Sequence, residues 1–205
     1  MQQTKRYEIL ESLPSYGPMY IPVSENNEAY YSEGYVARFY TSEDTTWVGN
    51  FEPGLTGLDA VYEFEDDPYI LVIAGGTCYL MNPDFHKPIS IFGALYETAI
   101  KTLDGRLILQ DSTHLTVFEI SGEHWSTERI SWDGIKELII EGNLVRGVAY
   151  RPTAESDEWV EFVVDLEKRN VRGGSWCHHE FKPTVEKANL MHKHQPAKRR
   201  WWKIW

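Results

Sequence analysis

The feature that most constrains this chain is a motif that returns along it: an apolar run, a short turn, then a second apolar run. It is plainest in Tyr69 to Pro83, YILVIAGGTCYLMNP, and in Arg106 to Ile120, RLILQDSTHLTVFEI. Asn143 to Leu166 has the same form, NLVRGVAY and EWVEFVVDL around a longer loop from Arg151 to Glu158, and Tyr35 to Phe51 supplies an earlier copy. With Val36, Leu71, Leu107 and Val145 as markers, the spacings are 35, 36 and 38. Such regularity marks a repeat array in which each unit buries an apolar face against the next.

Flanking segments enlarge each unit. Glu97 to Leu103 runs into the Arg106 hairpin through Asp104-Gly105, and Lys136 to Glu141 runs into the Asn143 hairpin through Gly142-Asn143. These dipeptides accept the positive φ that tight hairpin turns require. Pro88 to Gly93, His124 to Trp132 and Val171 to Trp176 are further candidate strands after the hairpins. In Glu158 to Leu166, Val160, Phe162, Val164 and Leu166 alternate with Trp159, Glu161 and Asp165, the period of a strand. Asp133 to Ile140 fits a helical turn as well as a strand, since Ile135, Leu138 and Ile139 also share a helical face.

The expected fold is therefore all-β, with about four antiparallel β-meanders in a β-propeller-like arrangement. It closes as a small propeller or stays an open-sided meander; a sandwich is the alternative. Three parts follow: residues 1–30, an irregular segment packed on the domain and suited to covering an open edge; residues 31–180, the repeat domain; and residues 181–205, a basic tail. The segments YGPMYIPVSENNEAYYSEG (from Tyr16), ILVIAGGTCYLMNP (from Ile70) and ERISWDGIKEL (from Glu128) resemble those of a family of uncharacterised bacterial all-β proteins with propeller-like hairpin repeats. The resemblance covers roughly residues 14 to 176. It implies a bacterial origin and a cytoplasmic domain, and carries no activity or site residue with it.

Charge divides the chain. Residues 182–205 hold seven Lys/Arg and one acid, whereas residues 1–181 hold 13 bases and 30 acids. So acidic a body repels nucleic acid and anionic membrane, and suits a basic protein, a cation or a neutral ligand. No apolar run follows Lys5 and Arg6, which argues against a secretory signal, and two cysteines are too few for a disulfide framework.

Motifs with defined chemistry are missing: neither a phosphate-binding Gly-x-x-x-x-Gly-Lys-Ser/Thr loop nor a Gly-x-Ser-x-Gly elbow occurs. Gly173-Gly174-Ser175 is the nearest to the latter. Glu63, Glu65, Asp66 and Asp67 cluster without the spacing that wraps calcium, and read as a solvated turn. Cys177, His178, His179, His192 and His194 are ligand types for zinc, although adjacent ligands converge poorly on one ion. Cys177 beside His178 or His179 is equally poorly set for nucleophilic catalysis, because strand neighbours point to opposite faces. Cys78 reads as a small buried hydrophobe.

The turn Ser131-Trp132-Asp133-Gly134 is the best candidate ligand site, with a ring as wall and a carboxylate as anchor; Trp47 and Trp159 join it as candidates. Trp132 packed between units, with Asp133 holding the turn, is the competing structural reading, and it applies to Trp47, Trp125 and Trp159 too. In the tail, Lys198, Arg199, Arg200, Trp201, Trp202 and Lys203 form a contact segment for the chain's own acidic surface or for an anionic membrane surface. The function expected from these features is a non-enzymatic protein-binding domain, with an immunity-type protein against a basic toxin as one version. The alternative is a small-ligand or enzymatic domain with a cleft near Trp132 and Asp133. No cofactor is expected.

Overall fold

The computed structural model describes residues 6–16, 19–25, 32–64 and 68–176. These form sixteen strands in four four-stranded sheets, with no helix among the described residues. The first sheet contains β1 (Tyr7–Leu10), β2 (Ile21–Val23), β3 (Tyr35–Tyr40) and β4 (Thr46–Phe51), in the order β1-β3-β4-β2. The other three are meanders in sequence order. They are β5 (Ala60–Glu63) to β8 (Ser90–Phe92) around β6 (Ile70–Ala74) and β7 (Thr77–Met81); β9 (Thr98–Lys101) to β12 (His124–Ser126) around β10 (Leu107–Gln110) and β11 (Leu115–Phe118); and β13 (Ile135–Glu141) to β16 (Asn170–Gly173) around β14 (Leu144–Pro152) and β15 (Asp157–Asp165).

Pairing is antiparallel throughout these meanders. The first sheet differs because both of its outer strands come from the first thirty residues. β1 pairs antiparallel with β3, and β2 pairs parallel with β4. The N-terminal segment thus covers both edges of the β3–β4 hairpin. At the β6–β7 turn Gly75 and Gly76 have φ of 54° and 84°, a pair of left-handed residues that a two-residue hairpin needs.

The sheets pack face to face in chain order. Phe39, Trp47 and Phe51 of the first sheet meet Ile70, Val72, Tyr79 and Met81 of the second. The opposite face of the second sheet, Leu71, Ile73, Cys78 and Leu80, meets Leu107, Leu109 and Phe118 of the third. Ile108, Leu115 and Val117 then meet Val145, Ala149, Phe162 and Val164 of the fourth. Among the described residues, no core cluster joins the fourth sheet to the first. The marker spacing also changes: Ile70, Leu107 and Val145 each face the preceding sheet, whereas Leu71 faces the following one.

The helical alternative for Asp133 to Ile140 gives way to strand β13 with a bulge between Lys136 and Ile139. Glu137, at φ 58°, absorbs the extra residue. The bulge shifts the alternation, so that Ile135 before it and Leu138 and Ile140 after it all face the cluster between the third and fourth sheets. Opposite it stands Gly147, where an added Cβ would lie 2.8 Å from Phe162 Cζ and 2.9 Å from Leu138 Cδ2. The loop expected from Arg151 to Glu158 shrinks to residues 153–156, because Arg151 pairs with Glu158 and the ladder runs on to Pro152 and Asp157.

Candidate functional site: an aromatic face on the fourth sheet

The chain between β12 and β13 is pinned by its backbone on two sides. Ile130 N and Gly134 N donate to Thr113 O and Ser112 O of the third sheet's hairpin, at 2.8 and 2.7 Å. Tyr150 N on β14 donates to Gly134 O at 2.9 Å, and Ser175 N donates to Ile130 O at 2.9 Å. Ser131 is fully buried, and its hydroxyl donates to Gly134 O at 2.6 Å. With the turn held this way, the Trp132 ring stands outward and is 45% exposed.

Around that ring other groups gather. Trp176 meets Trp132 edge-on, with centroids 4.3 Å apart. The Arg129 guanidinium lies 4.0 Å from the centre of the Trp176 ring and donates to Ser131 O at 2.9 Å and Trp132 O at 2.7 Å. On the outer face of the sheet the register sets Tyr150 opposite Trp159, and their rings are 5.5 Å apart. Trp159 is 41% exposed, and the Lys136 ammonium sits 3.7 Å from its ring centre. Each cation–ring contact of this kind is worth about 0.5–1 kcal/mol at an exposed site. Tyr150 donates to Asp157 Oδ1 at 2.6 Å; that bond, with lesser effects from burial and from Asp157 and Asp133, raises the phenol's pKa. The Asp133 side chain is exposed at the edge of this group.

Trp132, Asp133 and Trp159 are thus brought to one region, together with Tyr150, Trp176, Arg129 and Lys136. None of these last four stands out in the sequence as a partner of Trp132. Only the cross-strand register and the return of the chain after β16 bring them there. Trp47 lies apart from them. It is 6% exposed, stacks on Phe39 at 4.6 Å, and donates its indole N–H to Pro83 O at 2.8 Å, so it is a packing element between the first two sheets. Trp125 donates to Glu119 Oε1 at 2.8 Å beneath Arg169.

Cys78 is buried in β7, and desolvation pushes its thiol well above its ordinary pKa, which leaves it inert. Glu63 ends β5, while Glu65, Asp66 and Asp67 lie outside the described residues, as do Cys177, His178, His179, His192, His194 and the whole segment from Lys198 to Lys203. Among the described residues no group of three His, Cys, Asp or Glu side chains is placed to hold a metal ion. No helix among them is long and apolar enough to cross a membrane. Among the described residues, cavities of about 430 and 220 Å³ lie between β9 and β13 and beside Pro14, Tyr16, Arg38 and Trp47; neither is lined by Trp132, Asp133 or Trp159. Compared with protein-family models and with curated proteins, the chain matches none.

Proposed function

We propose that this chain is a non-enzymatic protein-binding domain and that its docking face is the aromatic end of the fourth sheet. The observation that carries this reading is the pair of half-exposed tryptophans: Trp132 packs edge-on against Trp176, whose ring carries the Arg129 guanidinium, and Trp159 meets the tilted Tyr150 ring and the Lys136 ammonium. Tryptophan, tyrosine and arginine dominate the residues that hold protein partners. Holding them rigid before contact lowers the entropy lost on binding. The backbone anchors of the 130–134 turn supply that rigidity here. The acidic body favours a basic partner through long-range attraction, a description that an immunity-type protein facing a basic toxin would fit.

For the architecture we favour an open-sided, propeller-like fan. The turns and ends of the first strands are linked in series, Arg6 to Pro68 O, Lys101 to Glu63 O and Arg106 to Asn143. The outer face of the fourth sheet carries Glu141, Arg146, Glu161 and Arg172, all exposed, as suits a face turned to water.

The experiment is a pull-down from native lysate with the wild-type chain, Trp132→Ala and Trp159→Ala, followed by titration of the recovered protein. Each substitution should weaken binding by roughly thirtyfold, the effect of losing a 2 kcal/mol anchor, while far-UV circular dichroism stays unchanged. A stoichiometric partner bound equally by all three proteins would reject this face. Recovery of a bound small molecule in place of a protein would favour the cleft reading at Trp132 and Asp133.

A further inference from the structure

The three junctions between sheets differ at one equivalent position. Glu63 pairs with Ile70 and Lys101 pairs with Leu107, and both Ile70 and Leu107 face the preceding sheet. Tyr62 is therefore the counterpart of Ile100, and Phe64 of Thr102. At the first junction β1 brings Tyr7 onto the core. At the second, Tyr62 and Phe64 fill the space beside the first strands; Phe64 is 4% exposed, with its ring 5.1 Å from Phe118 and the Lys101 ammonium 5.9 Å from its centre. At the third, Ile100 and Thr102 are too small to do so. The cavity of about 430 Å³ lies there, walled by Ile100, Thr102, Leu138 and Ile140, with Leu103 fully exposed at its rim.

We propose that this slot between β9 and β13 seats a tryptophan ring from the chain's own basic segment, residues 197–205. Three observations select that occupant. The slot lacks what the equivalent slot at the second junction contains, an aromatic ring, and AKRRWWKIW supplies Trp201, Trp202 and Trp205. Its bases Lys198, Arg199, Arg200 and Lys203 are opposite in charge to residues 1–181, with their 13 bases and 30 acids, so the segment is drawn to the body. Reach is ample as well. Trp176 lies toward one end of the fourth sheet and the slot at the other, a strand length of roughly 30 Å. The 24 residues 177–200 span up to about 80 Å when extended. The slot is separate from the aromatic face around Trp132, and the two proposals stand or fall independently.

The test uses the full chain. In a Cys177→Ser background, Leu103→Cys with Ile204→Cys should form an intramolecular disulfide on mild oxidation about tenfold faster than Leu55→Cys with Ile204→Cys, a pair whose loop position is also largely open to solvent, 81% against 110% exposed. Limited trypsin digestion gives a second readout. Thr102→Phe, which fills the slot, should raise cleavage at residues 198–200 about tenfold, whereas Thr102→Val, which removes the same hydroxyl without filling it, should not. Equal disulfide rates for the two pairs would overturn the proposal. So would a disulfide formed only between chains, which would assign the slot to a second copy, or tail protection that needs an added protein. A folded Thr102→Phe with native cleavage would overturn it too; should that variant fail to fold, the disulfide comparison decides.

Discussion

Gly147 is a residue whose value is its missing side chain. The bulge in β13 sends Leu138 toward it and Phe162 closes from β15; Leu138 borders the cavity between β9 and β13 and can give way, but the fully buried Phe162 ring cannot move without disturbing the third-sheet contact. Gly147→Ala should therefore destabilise the protein by about 1–3 kcal/mol, the usual effect of overpacking a filled core, read as a lower urea midpoint with an unchanged slope. At this scale the sequence is only partly legible. Trp132 and Trp159 can be picked out as large rings in polar company. Trp47 looks the same on paper, and only its position on the core face of β4 buries it. Lys136 and Arg129 give no signal at all, because a cation stacked on a ring is a fact of register and loop return, not of neighbouring letters.

Individual sheets announce their surroundings by their patterning. ILVIA in β6 and TCYLM in β7 are buried at every position, since the second sheet has another sheet on each side. A strand buried on both faces has no alternation to read, which is why the sequence markers slip by one residue at Leu71. In β14 and β15 alternation survives because only one face is covered, and the reading of Glu158 to Leu166 rests on that. The first sheet hides a different feature. Its parallel strand β2 and distant strand β1 are short, and Ile21–Val23 gives no more signal than a loop with proline in it. Removing residues 1–12 would strip β1 from β3 and take Tyr7 out of the core. We expect a loss of roughly 3 kcal/mol from that burial and the lost ladder, together with concentration-dependent aggregation through the bared β3 edge, measured by thermal melts and light scattering.

Over the whole molecule, stability should be graded from middle to end. The second and third sheets are clamped between neighbours, whereas the fourth has water on its outer face. Amide exchange should be slowest in β6, β7, β10 and β11 and faster in β13 and β16, with the 130–134 turn slower than its exposure suggests because its amides are bonded on two sides. Uniform protection across all four sheets would mean a single cooperative unit instead. The exposed charges on the outer face of the fourth sheet also give the array a direction. In the open-sided arrangement we favour, and among the described residues, the first sheet starts the series, with its edge strands drawn from upstream chain, and the fourth ends it with Glu141, Arg146, Glu161 and Arg172. Units that look alike in sequence are therefore not interchangeable modules. A duplicated third unit could be spliced in ahead of the fourth, but a unit appended behind the fourth would have to dehydrate those charges, so the series can be lengthened from within and not from its tail.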